Sequence, residues 1–151
     1  MAPLETTATI QISKPISEVF DAVIDPKKMS NYFIANGSGP MEEGKQVIWK
    51  FPEFDVIVPV NVLQVKKNAL ISFQWEGAKD HQLQVDILFS ERFGNTTLVK
   101  VTEGSMENNE DGIKWLKGNT EGWANFLACL KAYLEYNINL RKGAFDYMKA
   151  E

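Results

Sequence analysis

The stretch from Lys117 to Leu140 constrains the fold more than any other part of the chain. Counted from Trp123, the residues Phe126, Leu127, Leu130, Tyr133, Leu134 and Ile138 recur at spacings of three and four. That spacing lays large apolar groups along one broad stripe, so the sequence predicts a long amphipathic helix here. Such a helix is not stable alone in water, and something concave has to cover its stripe. Most of the chain before it reads as strands, which makes a curved sheet the natural cover.

The strands follow from composition, alternation and breakers. Residues 4–12 (LETTATIQI) are rich in Thr and Ile and read as a first strand, ended by Lys14-Pro15. ISEVFDAVI (16–24) has helical spacing, and Asp25-Pro26 stops it; a second short helix is predicted near 27–32. Residues 36–44, broken by Gly37, Gly39, Pro40 and Gly44, read as loop or weak strand. Strand-like runs then follow at 46–51, 54–65, 69–75, 81–92 and 97–103, separated by polar turns. Pro59 inside the second of these predicts a bulge or an edge position. In 81–92, His81, Leu83, Val85, Ile87 and Phe89 share one face. Residues 104–111 read as an acidic connection, 112–117 as a separate apolar segment, and 143–151 as a short tail carrying Phe145, Tyr147 and Met148. Consecutive strands on short turns make an antiparallel meander, and helices gathered at one side make the class α+β.

Length and charge narrow the functional field. The 151 residues fit one domain spanning 1–151. The net charge is −4 and no segment concentrates Lys and Arg, which argues against duplex nucleic acid or an anionic membrane as partner. Cys129 is the only cysteine, so an intrachain disulfide is impossible. The N-terminus lacks a basic region followed by an apolar run, and the longest apolar stretch, Val56 to Val60, is far too short to span a bilayer. A cytoplasmic location is expected.

The chemistry-bearing residues are sparse. One His and one Cys, far apart, do not make a metal site, and no metal or cofactor is predicted. His81 has two readings: a titrating group at the mouth of a cavity, or a solvent-facing strand end beside Asp80. Glu103 likewise reads as a buried carboxylate usable as acid or base, or as a solvated strand terminus, the commoner case. The aromatics carry more information. Trp49, Phe51, Phe73, Trp75 and Phe89 fall on strands, and Trp123, Phe126 and Tyr133 on the long helix. With Leu127 and Leu130 they either fill a solid core or line an apolar pocket between helix and sheet. Tyr32, Gln74, Tyr133 and Asn137 are candidate polar contacts for a ligand there.

Three stretches carry a resemblance: ISKPISEVFDAVIDPKKMSNYF; VNVLQVKKNALISFQWEG; and GNTTLVKVTEGS followed by EGWANFLACLKAYLE. In order and spacing they resemble the START/SRPBCC superfamily, and within it the branch related to activators of the heat-shock-protein-90 ATPase. The match covers about residues 7–140. Two positions depart from that pattern: Tyr32-Phe33 stands where relatives commonly have Trp-Phe, and Asn61 where a glycine is usual. The resemblance implies a helix-grip fold, a curved antiparallel sheet of about six to seven strands wrapped round a long C-terminal helix, with two short helices after the first strand.

Three functions follow as expectations. The first is non-enzymatic binding of a hydrophobic small molecule or lipid in a cavity between sheet and helix. The second is a module that interacts with the chaperone, though no second domain of the kind a full activator carries is seen. The third is a cyclase- or hydrolase-type enzyme using His81 or Glu103 with Tyr133. The implied partners are an apolar small molecule or lipid, a chaperone, or a second copy of the chain as a homodimer.

Overall fold

A computed structural model describes residues 2–149; Met1 and the last two tail residues, 150–151, lie outside the described residues. Seven strands form one antiparallel sheet: β1 (Leu4–Ile12), β2 (Asn36–Gly37), β3 (Gln46–Lys50), β4 (Ile57–Lys66), β5 (Leu70–Ala78), β6 (His81–Arg92) and β7 (Thr96–Met106). Their order across the sheet is β1-β7-β6-β5-β4-β3-β2. The first strand therefore pairs with the last, and the rest form the predicted meander. Asn68, Asp80 and Asn95 sit at the three long hairpin turns with φ of 61°, 63° and 62°. Asn and Asp are the non-glycine residues that best tolerate this left-handed backbone. Two short helices, α1 (Ile16–Ile24) and α2 (Pro26–Met29), fill the crossover after β1.

The long helix, α3 (Glu110–Tyr136), differs from its expected span at both ends. It absorbs the segment at 112–117 and begins in what reads as an acidic connection. The Asn109 side chain accepts from Gly112 N at 2.8 Å, and Glu110 and Asp111 place negative charge at the N-terminal end of the helix dipole. A Cβ on Gly112 would meet Glu107 O at 1.9 Å, so only glycine fits that turn. At the other end Asn137 adopts φ 54°, ψ 41° and caps the helix, leaving Ile138 outside it and exposed.

The helix runs along β1. Lys131 Nζ donates to Gln11 O at 2.8 Å, Ser13 N donates to Glu135 Oε2 at 2.8 Å, and the hydroxyls of Thr6 and Thr120 share a hydrogen bond. Phe126, Leu127, Cys129 and Leu130 are buried against the sheet interior with Val60, Phe73, Val85 and Val101. Phe20 of α1 meets Phe89 of β6 edge to face, ring centroids 5.1 Å apart. Among the described residues no helix is long and apolar enough to cross a membrane.

Two irregularities shape one end of the sheet. Residues 54–56, expected as strand, form a loop instead, because Glu53 turns inward and is buried. The ladder between β4 and β5 begins only at Asn61–Gln74, so Ile57–Val60 pair with β3 alone and the end of β5 pairs with β6 alone. Pro59 lies in this one-sided stretch, where its missing N–H is tolerated as at an edge. The sheet is splayed at that point, and the gap opens toward the middle of α3.

Burial has a chemical consequence at Cys129. It pushes the thiol above its ordinary 9.0, against a smaller downward pull from the Arg141 charge. The expected result is near-inertness of the native thiol toward a disulfide reagent at mildly alkaline pH, with full reaction in denaturant. Rapid native labelling would contradict this burial.

Candidate functional site

The splay between β4 and β5 forms one wall of a cleft of about 430 Å³. Its sheet side is Val58 and Trp75 with Phe51 and Val56 of the β3–β4 connection; its helix side is Gly118, Asn119, Gly122 and Trp123. The chain after α3 folds back to make the third side, with Arg141, Phe145, Tyr147 and Met148 facing the cleft. Phe145 and the short turn Asp146–Met148 thus form a strap over the domain. A second hollow of about 700 Å³ lies between α1, α2 and residues 35–40, and no aromatic side chain is among its lining residues.

Glu103 lies behind the cleft wall. It is almost fully buried, on the apolar face of β7 that its alternation assigns. Trp75 Nε1 donates to its Oε2 at 2.7 Å; Trp123 Nε1 and Asn119 Nδ2 donate to its Oε1 at 2.9 and 2.8 Å. Asn119 Nδ2 also reaches Gly77 O at 3.0 Å. A Cβ at Gly77 would stand 2.2 Å from Glu103 Oε2, so the shift in register at Glu76/Ala78 and this glycine make room for the carboxyl. Both oxygens accept from N–H groups on β5 and α3. The carboxyl therefore acts as a clamp that sets the orientation of two indoles and an amide.

Arg141 fastens the strap. Its Nη2 donates to Glu53 Oε1 at 2.7 Å and its Nε to Oε2 at 3.3 Å. The guanidinium also lies 5.5, 5.7 and 4.9 Å from the ring centres of Phe33, Phe51 and Phe145. A planar cation paired bidentately and faced by aromatic rings is the arrangement that arginine, and not lysine, supports.

The structure distributes the sequence-predicted residues among several places. Phe51, Trp75 and Trp123 line the cleft. Trp49, Phe73, Phe89, Phe126, Leu127 and Leu130 are buried in the core, where the rings pack edge to face and leave the helix–sheet gap filled. Tyr32 is fully buried, donates to Ala22 O at 2.8 Å and stacks on Tyr133 at 5.7 Å. Burial, reinforced by the neighbouring Tyr133, pushes its hydroxyl well above the ordinary 10.0. Gln74 is half-buried within β5, and Asn137 is occupied as the helix cap. His81 stands exposed at the β5–β6 turn, opposite Ala78. Sequence reasoning missed Phe33, Gly118, Asn119, Gly122 and Arg141. The two glycines carried the available signal: spaced by four on a predicted helix, they mark a face without side chains.

Comparison with known proteins agrees with this architecture. The sequence profile of the family described as "Activator of Hsp90 ATPase homolog 1-like protein" matches residues 13–135. No curated protein sequence matches the chain significantly. A crystal structure of a Staphylococcus saprophyticus protein superposes with a TM-score of 0.81 at 30% identity, covering 91% of this chain and 96% of that one. A Mesorhizobium loti protein gives a TM-score of 0.76 at 17% identity, with 87% and 97% covered. The solution structure of the Aha1 dimer from Colwellia psychrerythraea gives 0.75 at 17% identity, with 88% and 97% covered. The fold is the helix grip, and the profile spans most of the chain. The chain belongs to the family of activator of Hsp90 ATPase homolog 1-like proteins.

Proposed function

We propose that the chain is a non-enzymatic binding protein that takes a hydrophobic small molecule or lipid chain in the cleft between β4–β5, α3 and the strap. The observation that carries this reading is the pair Gly118 and Gly122. Each glycine in a helix interior costs about 1 kcal/mol relative to alanine. Yet a Cβ at either position would meet nothing within 4 Å. Packing within the chain does not explain their lack of side chains, whereas room kept for an occupant does. The volume and the aromatic lining suit a small-molecule site, for which about 300–1,000 Å³ is usual.

The neutral fluorophore N-phenyl-1-naphthylamine, which brightens in apolar surroundings, tests the reading. Saturable binding is expected. Gly122→Phe fills the cleft from its helix wall, so it should weaken reporter binding by at least about tenfold, or 1.4 kcal/mol. The same change should not lower the unfolding temperature, because it removes a helix glycine. Unsaturable binding, or binding indifferent to Gly122→Phe, would contradict the proposal.

Family membership supports a second reading, a module that contacts the Hsp90 chaperone. Its test is the host chaperone's ATPase rate with and without the protein, together with co-elution on a sizing column. An unchanged rate and no complex would end it.

A further inference from the structure

The hydrogen-bonding groups of the cleft are sorted by side. The N–H donors of its walls point away from it: Trp75 Nε1, Trp123 Nε1 and Asn119 Nδ2 are all turned onto Glu103. The one cation in the lining among the described residues, Arg141, is committed to buried Glu53 and to the faces of three rings. Among the described residues no lysine lines the cleft. The other charged residues of the lining are acidic, Glu76 from the strand wall and Glu121 from the helix wall. Both are exposed, and neither has an ion-pair partner among the described residues. The Asn125 amide and the Tyr147 hydroxyl are the remaining neutral donors, and neither carries charge.

Resting on the binding reading above, we infer that the cleft selects an apolar molecule with an amine or ammonium head over a carboxylate or phosphate of the same size. Two effects act in the same direction. An anion entering the cleft loses water and gains no charged donor in exchange, while meeting two carboxylates. A cation meets those carboxylates and the negative faces of aromatic rings, the arrangement that already holds Arg141 in place. Exposure of Glu76 and Glu121 limits the size of the effect, because salt screens charges at a rim. The discrimination therefore rests on the sum of repulsion, ring attraction and unreplaced hydration.

Competition against N-phenyl-1-naphthylamine by dodecylamine, 1-dodecanol and dodecanoate tests this at neutral pH and below micelle formation. The three share one apolar chain and differ in the head. Dodecylamine should displace the reporter at concentrations at least about tenfold lower than dodecanoate, with the alcohol between them. Raising the salt concentration should shrink the amine-to-acid ratio, and so should the double variant Glu76→Gln/Glu121→Gln. Both positions are exposed, so the variant's thermal unfolding should match the parent and serve as the folding control. Dodecanoate competing as well as dodecylamine, or a ratio that ignores both salt and the double variant, would overturn the inference while leaving the binding reading in place. If neither the reporter nor any of the three chains binds, both fall together.

Discussion

Glu103→Ala should lower the free energy of unfolding by about 3–5 kcal/mol, more than any single change at the cleft surface. The substitution removes the acceptor shared by the Trp75 and Trp123 indole N–H groups and by Asn119 Nδ2, which keeps only Gly77 O. Each orphaned donor costs about 1–3 kcal/mol, reduced where water enters the space left by the carboxyl. Glu103→Gln should cost less, about 1–3 kcal/mol, because one oxygen still accepts while the new amide faces a donor on the other side. Denaturant unfolding of both variants measures the difference. Equal stability of Glu103→Ala and the parent would show that the clamp contributes nothing. Because the clamp also orients two cleft-lining indoles, Glu103→Gln should weaken N-phenyl-1-naphthylamine binding although Glu103 is not among the cleft-lining residues.

Arg141→Ala should release the strap. Removing one member of a buried ion pair typically costs about 3–5 kcal/mol, because the other charge stays buried alone. Here the loss should be smaller, about 2–3 kcal/mol, since the strap can lift and let water reach Glu53. The expected readouts are faster proteolysis within residues 138–149 and weaker reporter binding, with the sheet and α3 intact by circular dichroism. Arg141→Lys should fall between parent and alanine, because an ammonium keeps the charge but not the fork or the planar face. Adding Glu53→Gln to Arg141→Ala should recover part of the stability, since a neutral amide is cheaper to bury than an unpaired carboxylate. Undiminished protection of the strap in Arg141→Ala would show that the Phe145 and Met148 contacts hold it without the arginine.

The sheet was readable because its signals are local. Alternation in 81–92 and polar turns at Asn68, Asp80 and Asn95 each depend on neighbours in sequence. The start of α3 was harder to read, because Gly112, Gly118 and Gly122 mimic breaks in a helical pattern. The overlooked signal was Asn109 followed by Glu110 and Asp111, a helix cap with an acidic first turn. The parity of Glu103 on its strand was legible too, but its partners lie on β5 and α3, and no spacing reveals them. The cleft depends still more on tertiary structure. It joins residues 51–58, 75–76, 118–125 and 141–148, and the splay that opens it is a property of strand pairing. Aromatic content announced that large rings would meet. It did not say that Trp49 would be sealed in the core while Trp75 and Trp123 would face the cleft.

That division provides the most direct test of the central claim, that the occupant sits between β5, α3 and the strap. The chain has four tryptophans, each with a resolvable indole N–H resonance in a nitrogen-edited proton spectrum. Titration with N-phenyl-1-naphthylamine should move the Trp75 and Trp123 signals most. Trp115, in the separate cluster with Leu83 and Met106, should stay in place. Unmoved Trp75 and Trp123 signals at saturating reporter, or a largest shift at Trp115, would contradict the assignment of the cleft as the binding site.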